Sequence, residues 1–291
     1  MGMDTAWPAS GLGPATTWLP VGVLVLWFGG LAWLESRRPL RRSVESKRVR
    51  MARNALLGVI AAATIRLVEL PVTLPLAARV EENGWGLLHL APAPPFVRVV
   101  LALVSLDYTL YVWHVLTHRV AWLWRFHVVH HADLDLDAST ALRFHAGELV
   151  VSVPWRVCQI LLIGVSPFAL TLWQGLLLLS TLFHHSNLEL PLRAERWLVR
   201  LIVTPRMHGI HHSTRDEEMN SNWSNGLTLW DRLHGTLRLN VPQREITIGV
   251  APYRSPAEVE LRRMLRLPFT YRPPSSSTAS RRVSPTAELL P

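Results

Sequence analysis

Hydrophobic residues in this chain come in long unbroken blocks, not in the alternation of a half-buried sheet. Residues 18–34, WLPVGVLVLWFGGLAWL, carry no charge and nearly match the length of a bilayer-spanning helix. Further apolar blocks run over 54–78, 97–118 and 149–183. The pattern predicts an all-α, polytopic membrane helical bundle. The last block holds two apolar runs divided by GVSP at Gly164 to Pro167. Two helices of about sixteen residues reach about 24 Å each, so the block is expected to dip into the membrane and return as a hairpin. Both of its ends then lie on one side.

Within the second block, Arg66 and Glu69 stand three residues apart and are expected to pair on one helix face. Pro71 and Pro75 are expected to kink or end that helix. From about Leu267 the chain turns Pro- and Ser-rich and is expected to be disordered. Three regions follow: membrane helices with a basic loop over 1–95, a histidine-bearing region over 96–245, and an extension over 246–291.

Composition agrees with a membrane protein: 49% of the residues are hydrophobic and only 18% charged, with a mean hydropathy of +0.20. No basic segment precedes the first apolar block, so no cleavable signal is expected. The net charge of +9 invites a nucleic-acid reading. Its distribution argues against one. Arg37, Arg38, Arg41, Arg42, Lys47, Arg48, Arg50 and Arg53 crowd the loop after the first span, which places that loop in the cytoplasm and beside anionic lipid. Lys47 is the only lysine among 30 basic residues, a bias of GC-rich bacterial genomes that points to a bacterial inner membrane. Cys158 stands alone, so no internal disulfide forms, and a packed core thiol is its expected role.

The candidate chemistry is imidazole. His127, His130 and His131 repeat their spacing at His208, His211 and His212, and His114 and His118 are four apart. On a helix each set projects from one face, as multi-histidine metal motifs require. His145 and His185 bring the total to ten, too many for one ion and suited to two. Imidazole serves Zn, Cu, Fe and Ni alike, and the lone cysteine argues against a closed structural zinc site. Neutral rings need groups behind them for orientation; Asp107, Tyr111, Glu148, Asn187 and Asp231 are the candidates. Asp107, Tyr111, His114 and His118 share one face of the third span. Asp133, Asp135 and Asp137 read as a solvated acidic loop or as further support for the rings.

The motifs DxxxYxxHxxxH, HxxHH, RFHxxE, HSN, TPRMHxIHHS and NxNWSxxLxLWDRLHGT, spread from Asp107 to Arg238, resemble the fatty acid hydroxylase/sterol desaturase family. The resemblance implies a membrane-bound, non-haem enzyme with two iron ions, which uses O2 and two electrons to hydroxylate or desaturate a lipid, fatty-acyl or sterol-like substrate. It implies iron ligation by His114, His118, His127, His130, His131, His208, His211 and His212, with His145 and His185 at further patterned positions. Val115, Ala146 and His234 depart from the usual motifs. Thr181 stands where some members carry a histidine, leaving His184 or Asn187 to complete the site. No Gly-rich dinucleotide fingerprint is present, so electrons are expected from a separate protein, cytochrome b5-like or ferredoxin/reductase. Arg193, Arg196, Arg200 and Arg206 form either its docking surface or a membrane-facing basic rim. The rival class is a histidine-rich membrane metal transporter or metal-binding protein without catalysis.

Overall fold

A computed structural model describes residues 14–271, with side chains from Val21 onward. Among these the chain is helical, with only isolated β-bridges. The long helices are α1 (Pro14–Arg37), α2 (Lys47–Thr64), α3 (Leu70–Asn83), α4 (Pro95–Arg119), α5 (Ala121–His131), α6 (Ala146–Ile163) and α7 (Pro167–His185). Short helices follow: α8 (Leu192–Leu198), α9 (Pro205–His211), α10 (Asp216–Met219), α11 (Leu229–Leu233) and α12 (Leu261–Thr270). Four stretches, Lys47–His89, α4, α6 and α7, are long and apolar enough to cross a membrane. This is an integral membrane protein.

The expected hairpin is present. α6 ends at Gly164, whose φ of 87° puts it in the left-handed region, and a Cβ there would meet the Trp85 carbonyl at 2.6 Å. Ser166 then caps α7 by accepting from the Ala169 amide, and Pro167 opens the helix. The turn returns α7 to the level where α6 began. Helices α3, α4, α6 and α7 pack through Ala77, Ala102 and Ala169 alongside Leu106, Ile160 and Trp173. Small residues allow the close backbone approach that drives association where lipid is as apolar as leucine.

The second block differs from expectation in a consistent way. Pro71 cannot donate to the Leu67 carbonyl, and the chain widens into a π turn over Ile65–Glu69, where the Leu70 amide bonds back to Ile65. The helix therefore continues through both prolines to Asn83. Glu69 does not pair with Arg66, which stays exposed. Glu69 lies buried between Gln174, which donates to it at 3.1 Å, and the Arg156 guanidinium at 3.6 Å. An ionisable pair inside a bundle needs a partner across helices, and the extra residue of the π turn aims Glu69 inward. Cys158 is exposed on α6 and is no core thiol.

The C-terminal extension is ordered further than its composition suggests. α12 lays Met264, Leu267 and Pro268 against α5 and turns Arg262, Arg263 and Arg266 outward. Trp124 of α5 donates to the Tyr271 hydroxyl at 3.0 Å. The rest of the expected disordered tail lies outside the described residues.

Candidate metal centre

Four helix ends meet at one end of the bundle. α4 supplies His114 and His118 from its last two turns. Val120, in an extended conformation, breaks the helix so that α5 can bring back His127, His130 and His131. α7 ends in His184 and His185. α9, capped by the Thr204 hydroxyl and opened by Pro205, carries His208 and His211, with His212 at its end.

These rings sort into two adjacent clusters. His114, His118, His127, His131 and His211 form the first; His130, His185, His208 and His212 form the second. Within each, one nitrogen per ring lies within 4.8 Å of all the others. The clusters abut, with the His131 and His212 rings stacked at 4.3 Å. All nine rings are buried except the half-buried His118.

Backbone and carboxylate acceptors fix the tautomers. His114 Nδ1 donates to the Trp223 carbonyl at 2.7 Å, His211 Nδ1 to Ser221 at 2.9 Å and His185 Nδ1 to Thr181 at 2.8 Å. His127 Nδ1 donates to Glu148 Oε1 at 2.8 Å. Each ring so held turns its Nε2 lone pair into a cluster.

The second cluster shows what is missing from a purely protein account. Its Nε2 atoms follow one another at 3.0 Å (His130 to His185), 3.0 Å (His185 to His208) and 3.1 Å (His208 to His212). His185 Nε2 carries a lone pair, since its Nδ1 is held by Thr181, and Nδ1 of His130, His208 and His212 is buried without a partner, so protein hydrogen bonds do not satisfy every nitrogen of this cluster. Nitrogens about 2.1 Å from one ion and at right angles stand about 3.0 Å apart, so the spacing fits one metal. In the first cluster Nε2 of His118, His127, His131 and His211 is buried without a hydrogen-bond partner. Buried polar atoms are rarely left so. An all-imidazole donor set at two points fits metal ions.

Burial and mutual proximity also keep the rings neutral. His211 is pushed down to about 3, first by burial. Burial likewise holds His130, His131, His208 and His212 well below the ordinary histidine range, with the neighbouring rings acting in the same direction. Neutral imidazole is the ligating form.

The remaining sequence-named residues are placed as follows. Glu148 touches a ring directly. Asp107 accepts from Trp230 Nε1 at 2.7 Å and from the Leu227 amide at 3.0 Å; Asp231 accepts from the Trp223 and Ser224 amides. Both therefore hold the 221–231 loop whose Trp223 carbonyl orients His114. Tyr111 reaches Thr236 at 3.1 Å, and its ring stacks on His234. Asn187 bonds the Arg41 backbone and no histidine. His145 stands apart from both clusters. Its Nδ1 accepts from the Gly147 amide, capping α6, and its Nε2 donates to the Leu265 carbonyl at 3.2 Å, so neither nitrogen is free.

A second buried network, missed in the sequence, braces the site. Asp133, Asp135 and Asp137 are no solvated loop: all three are buried around Arg50, which bonds Asp133 at 3.1 Å and pairs with Asp137. Asn54 donates to Asp133 and accepts from Arg143. Arg143 in turn donates to the Val129 and Ala132 carbonyls at 2.8 and 3.1 Å, capping the end of α5 that carries the HxxHH box. Although burial opposes it, the Arg50 and Arg143 guanidiniums hold Asp133 at about 2. Arg50 and Arg53, counted among the lipid-facing loop cations, are thus internal. The available signal was the four-residue spacing of Arg50 and Asn54 opposite an alternating run of aspartates.

Residues 99–236 match the family model described as fatty acid hydroxylase. Curated relatives agree. The chain is 33% identical over 159 residues to the ornithine lipid hydroxylase OlsE of Rhizobium tropici. It is 31% identical over 156 residues to a cholesterol 25-hydroxylase-like protein of Danio rerio, and 28% over 145 residues to the alkylglycerol monooxygenase of Xenopus tropicalis. The alignments cover 54%, 51% and 50% of this chain, and 46%, 60% and 31% of those relatives. No solved structure matches. These matches, over about half of the chain, support the fatty acid hydroxylase/sterol desaturase family for its histidine-bearing region.

Proposed function

We propose that this protein is a membrane-bound di-iron oxygenase that hydroxylates a lipid with O2 and two electrons. The observation that carries this reading is the pair of abutting all-histidine clusters, with buried unpartnered nitrogens, inside a fatty acid hydroxylase region. The first ion would be held by His114, His118, His127, His131 and His211, and the second by His130, His185, His208 and His212. Iron bound there supplies O2 activation and the oxidising power to attack an unactivated C–H bond.

The protein's own residues do the rest. Glu148 and the carbonyls of Thr181, Ser221 and Trp223 keep Nδ1 of His127, His185, His211 and His114 protonated and their Nε2 atoms aimed inward. The buried rings and the capped helix ends exclude water from the site. The substrate, a lipid, enters sideways from the bilayer between the helices. Hydroxylation is favoured over desaturation because the matched relatives are named hydroxylases and monooxygenases. Electrons come from a separate carrier protein, for which the exposed Arg193, Arg196 and Arg200 offer a basic surface. The exposed Arg37, Arg38, Arg42 and Arg48 ring the same end as the clusters, which supports histidines facing the cytoplasm of a bacterial inner membrane. Residues 96–245 act as the catalytic region, with 14–95 and 246–271 bracing it.

A transporter is less well supported. The clusters sit at one end, and the polar groups deeper in the bundle, Glu69, Arg156 and Gln174, are closed on one another. The test is elemental analysis of anaerobically purified protein, followed by mass spectrometry of co-purified and added lipids. Two irons per chain, lost when His130 and His211 both become alanine, with O2-dependent gain of one oxygen atom in a lipid, is the expected result. One zinc per chain, or a metal that simply follows the growth medium, overturns the reading.

A further inference from the structure

Of the histidines outside the two clusters, His184 borders one of them most closely. His184 is fully buried at the last turn of α7, and neither of its ring nitrogens makes a well-formed hydrogen bond, with the Asn225 carbonyl close to the ring. A buried polar group left unpaired costs about 1–3 kcal/mol, so an apolar residue would serve this position better if packing were its only task. Its ring centroid lies 4.2 Å from that of His208 and 4.7 Å from that of His185. Rings within the second cluster stand between 4.3 and 5.1 Å apart, so the His184 ring packs as closely as a member, although its nitrogens are not among those that converge there.

The two clusters are also unequal. Five histidines converge in the first and four in the second, while His184 borders only the four-membered one. Its backbone neighbour His185 is a member, held in place by the Thr181 carbonyl one turn back, whereas no hydrogen bond holds the His184 ring. A ring without a well-formed hydrogen bond beside the smaller cluster is the candidate to add a nitrogen to it.

We infer that His184 is a fifth, exchangeable ligand of the four-histidine cluster, bound in one state of the centre and withdrawn in another. The inference rests on the reading of the clusters as metal sites. The step is donation of a neutral nitrogen lone pair, with no change in protonation or redox state.

The test is cobalt(II) titration of metal-free, detergent-purified full-length protein, followed by visible absorption and equilibrium dialysis. Wild type, His184→Gln and His184→Leu are compared, with cooperative thermal melting as the check of folding. In a folded variant, the second cobalt is expected to bind at least about tenfold more weakly, with a changed ligand-field spectrum and the first cobalt unaffected. Wild-type affinity and spectrum in either folded variant overturn the assignment. So does equal weakening of both cobalts, which marks a packing role. If neither variant folds, wild-type protein loaded with two cobalts is examined by pulsed EPR for the number of coordinated imidazole nitrogens. Nine or fewer rings' worth of coupling in every state overturns the assignment, and a tenth in one state supports it. Failure of the wild type to bind cobalt at all strikes the metal reading itself, separately from His184.

Discussion

Two buried polar clusters sit side by side at the same end of this bundle, and they solve the cost of burial in opposite ways. In the network around Arg50, cations meet anions: Arg50, Arg53 and Arg143 face Glu45, Asp133, Asp135 and Asp137, and Asn54 bridges them. Charge is balanced by protein groups. In the histidine clusters no acid enters except Glu148, and apart from the Nδ1 atoms held by backbone carbonyls the ring nitrogens face one another or nothing. The first arrangement is complete as protein. The second is complete only with cations that the protein does not itself contain. The contrast separates a structural brace from a functional site more sharply than burial does, since both are equally buried.

Acidification should break the comparison most strongly. In the metal-free protein His211 titrates at about 3 when folded against an ordinary 6.5, so between those values the unfolded chain binds more protons. Stability then rises with pH across that window, and falls as pH drops from about 6.5 towards 3. His130, His131, His208 and His212 shift the same way. Thermal melting of metal-free protein against pH should show this loss, while above pH 7 the curve stays flat. A metal-free protein equally stable at pH 4.5 and 7.5 would contradict the neutral-ring account.

Next in size is removal of one partner from the brace. Arg50→Ala leaves Asp133 and Asp137 buried without their cation and should cost about 3–5 kcal/mol, read as a lowered midpoint in denaturant. The protein that remains folded should keep its metal content. Loss of metal at unchanged stability would place Arg50 in the site and not in the brace.

Glu148→Gln is a smaller change. The amide oxygen can still accept from His127, but without the negative charge that raises ring basicity. Metal affinity in the first cluster should fall about 10–100-fold, with the second cluster unaffected, as competition with a chelator would show. His145→Ala should matter least. It removes the cap of α6 at a cost of about 1 kcal/mol and leaves metal stoichiometry unchanged. A drop to one metal per chain would return His145 to the ligand set.

Much of the molecule was legible before any coordinates. Block hydropathy marked the helices, and the GVSP interruption together with the need to bring His131 and His185 to one side implied the hairpin. Histidine spacing named eight of the nine converging rings, and His185 entered as a single histidine in the HSN motif. The errors share a cause. Arg66 and Glu69 are neighbours on an ideal helix, but a π turn forced by Pro71 rotated Glu69 towards α6 and α7. Arg50 looked like a lipid-facing cation because its partners lie some eighty residues away in the DLDLD run, and Arg53, paired with nearby Glu45, is drawn in beside Asp133 of the same run. Leu267 looked like the start of a disordered tail because the face of α5 that it covers is invisible in local composition.

The sequence by itself determined what repeats locally: which segments are apolar enough for a membrane, and which histidines share a helix face, since both follow from side-chain chemistry at fixed helical spacing. Only the tertiary structure decided how nine rings divide into five and four, which atoms hold their tautomers, and that His145 is a cap while His184 stands unpaired. Those outcomes depend on contacts between residues distant in the chain, and on carbonyl groups that every residue carries and no sequence pattern distinguishes.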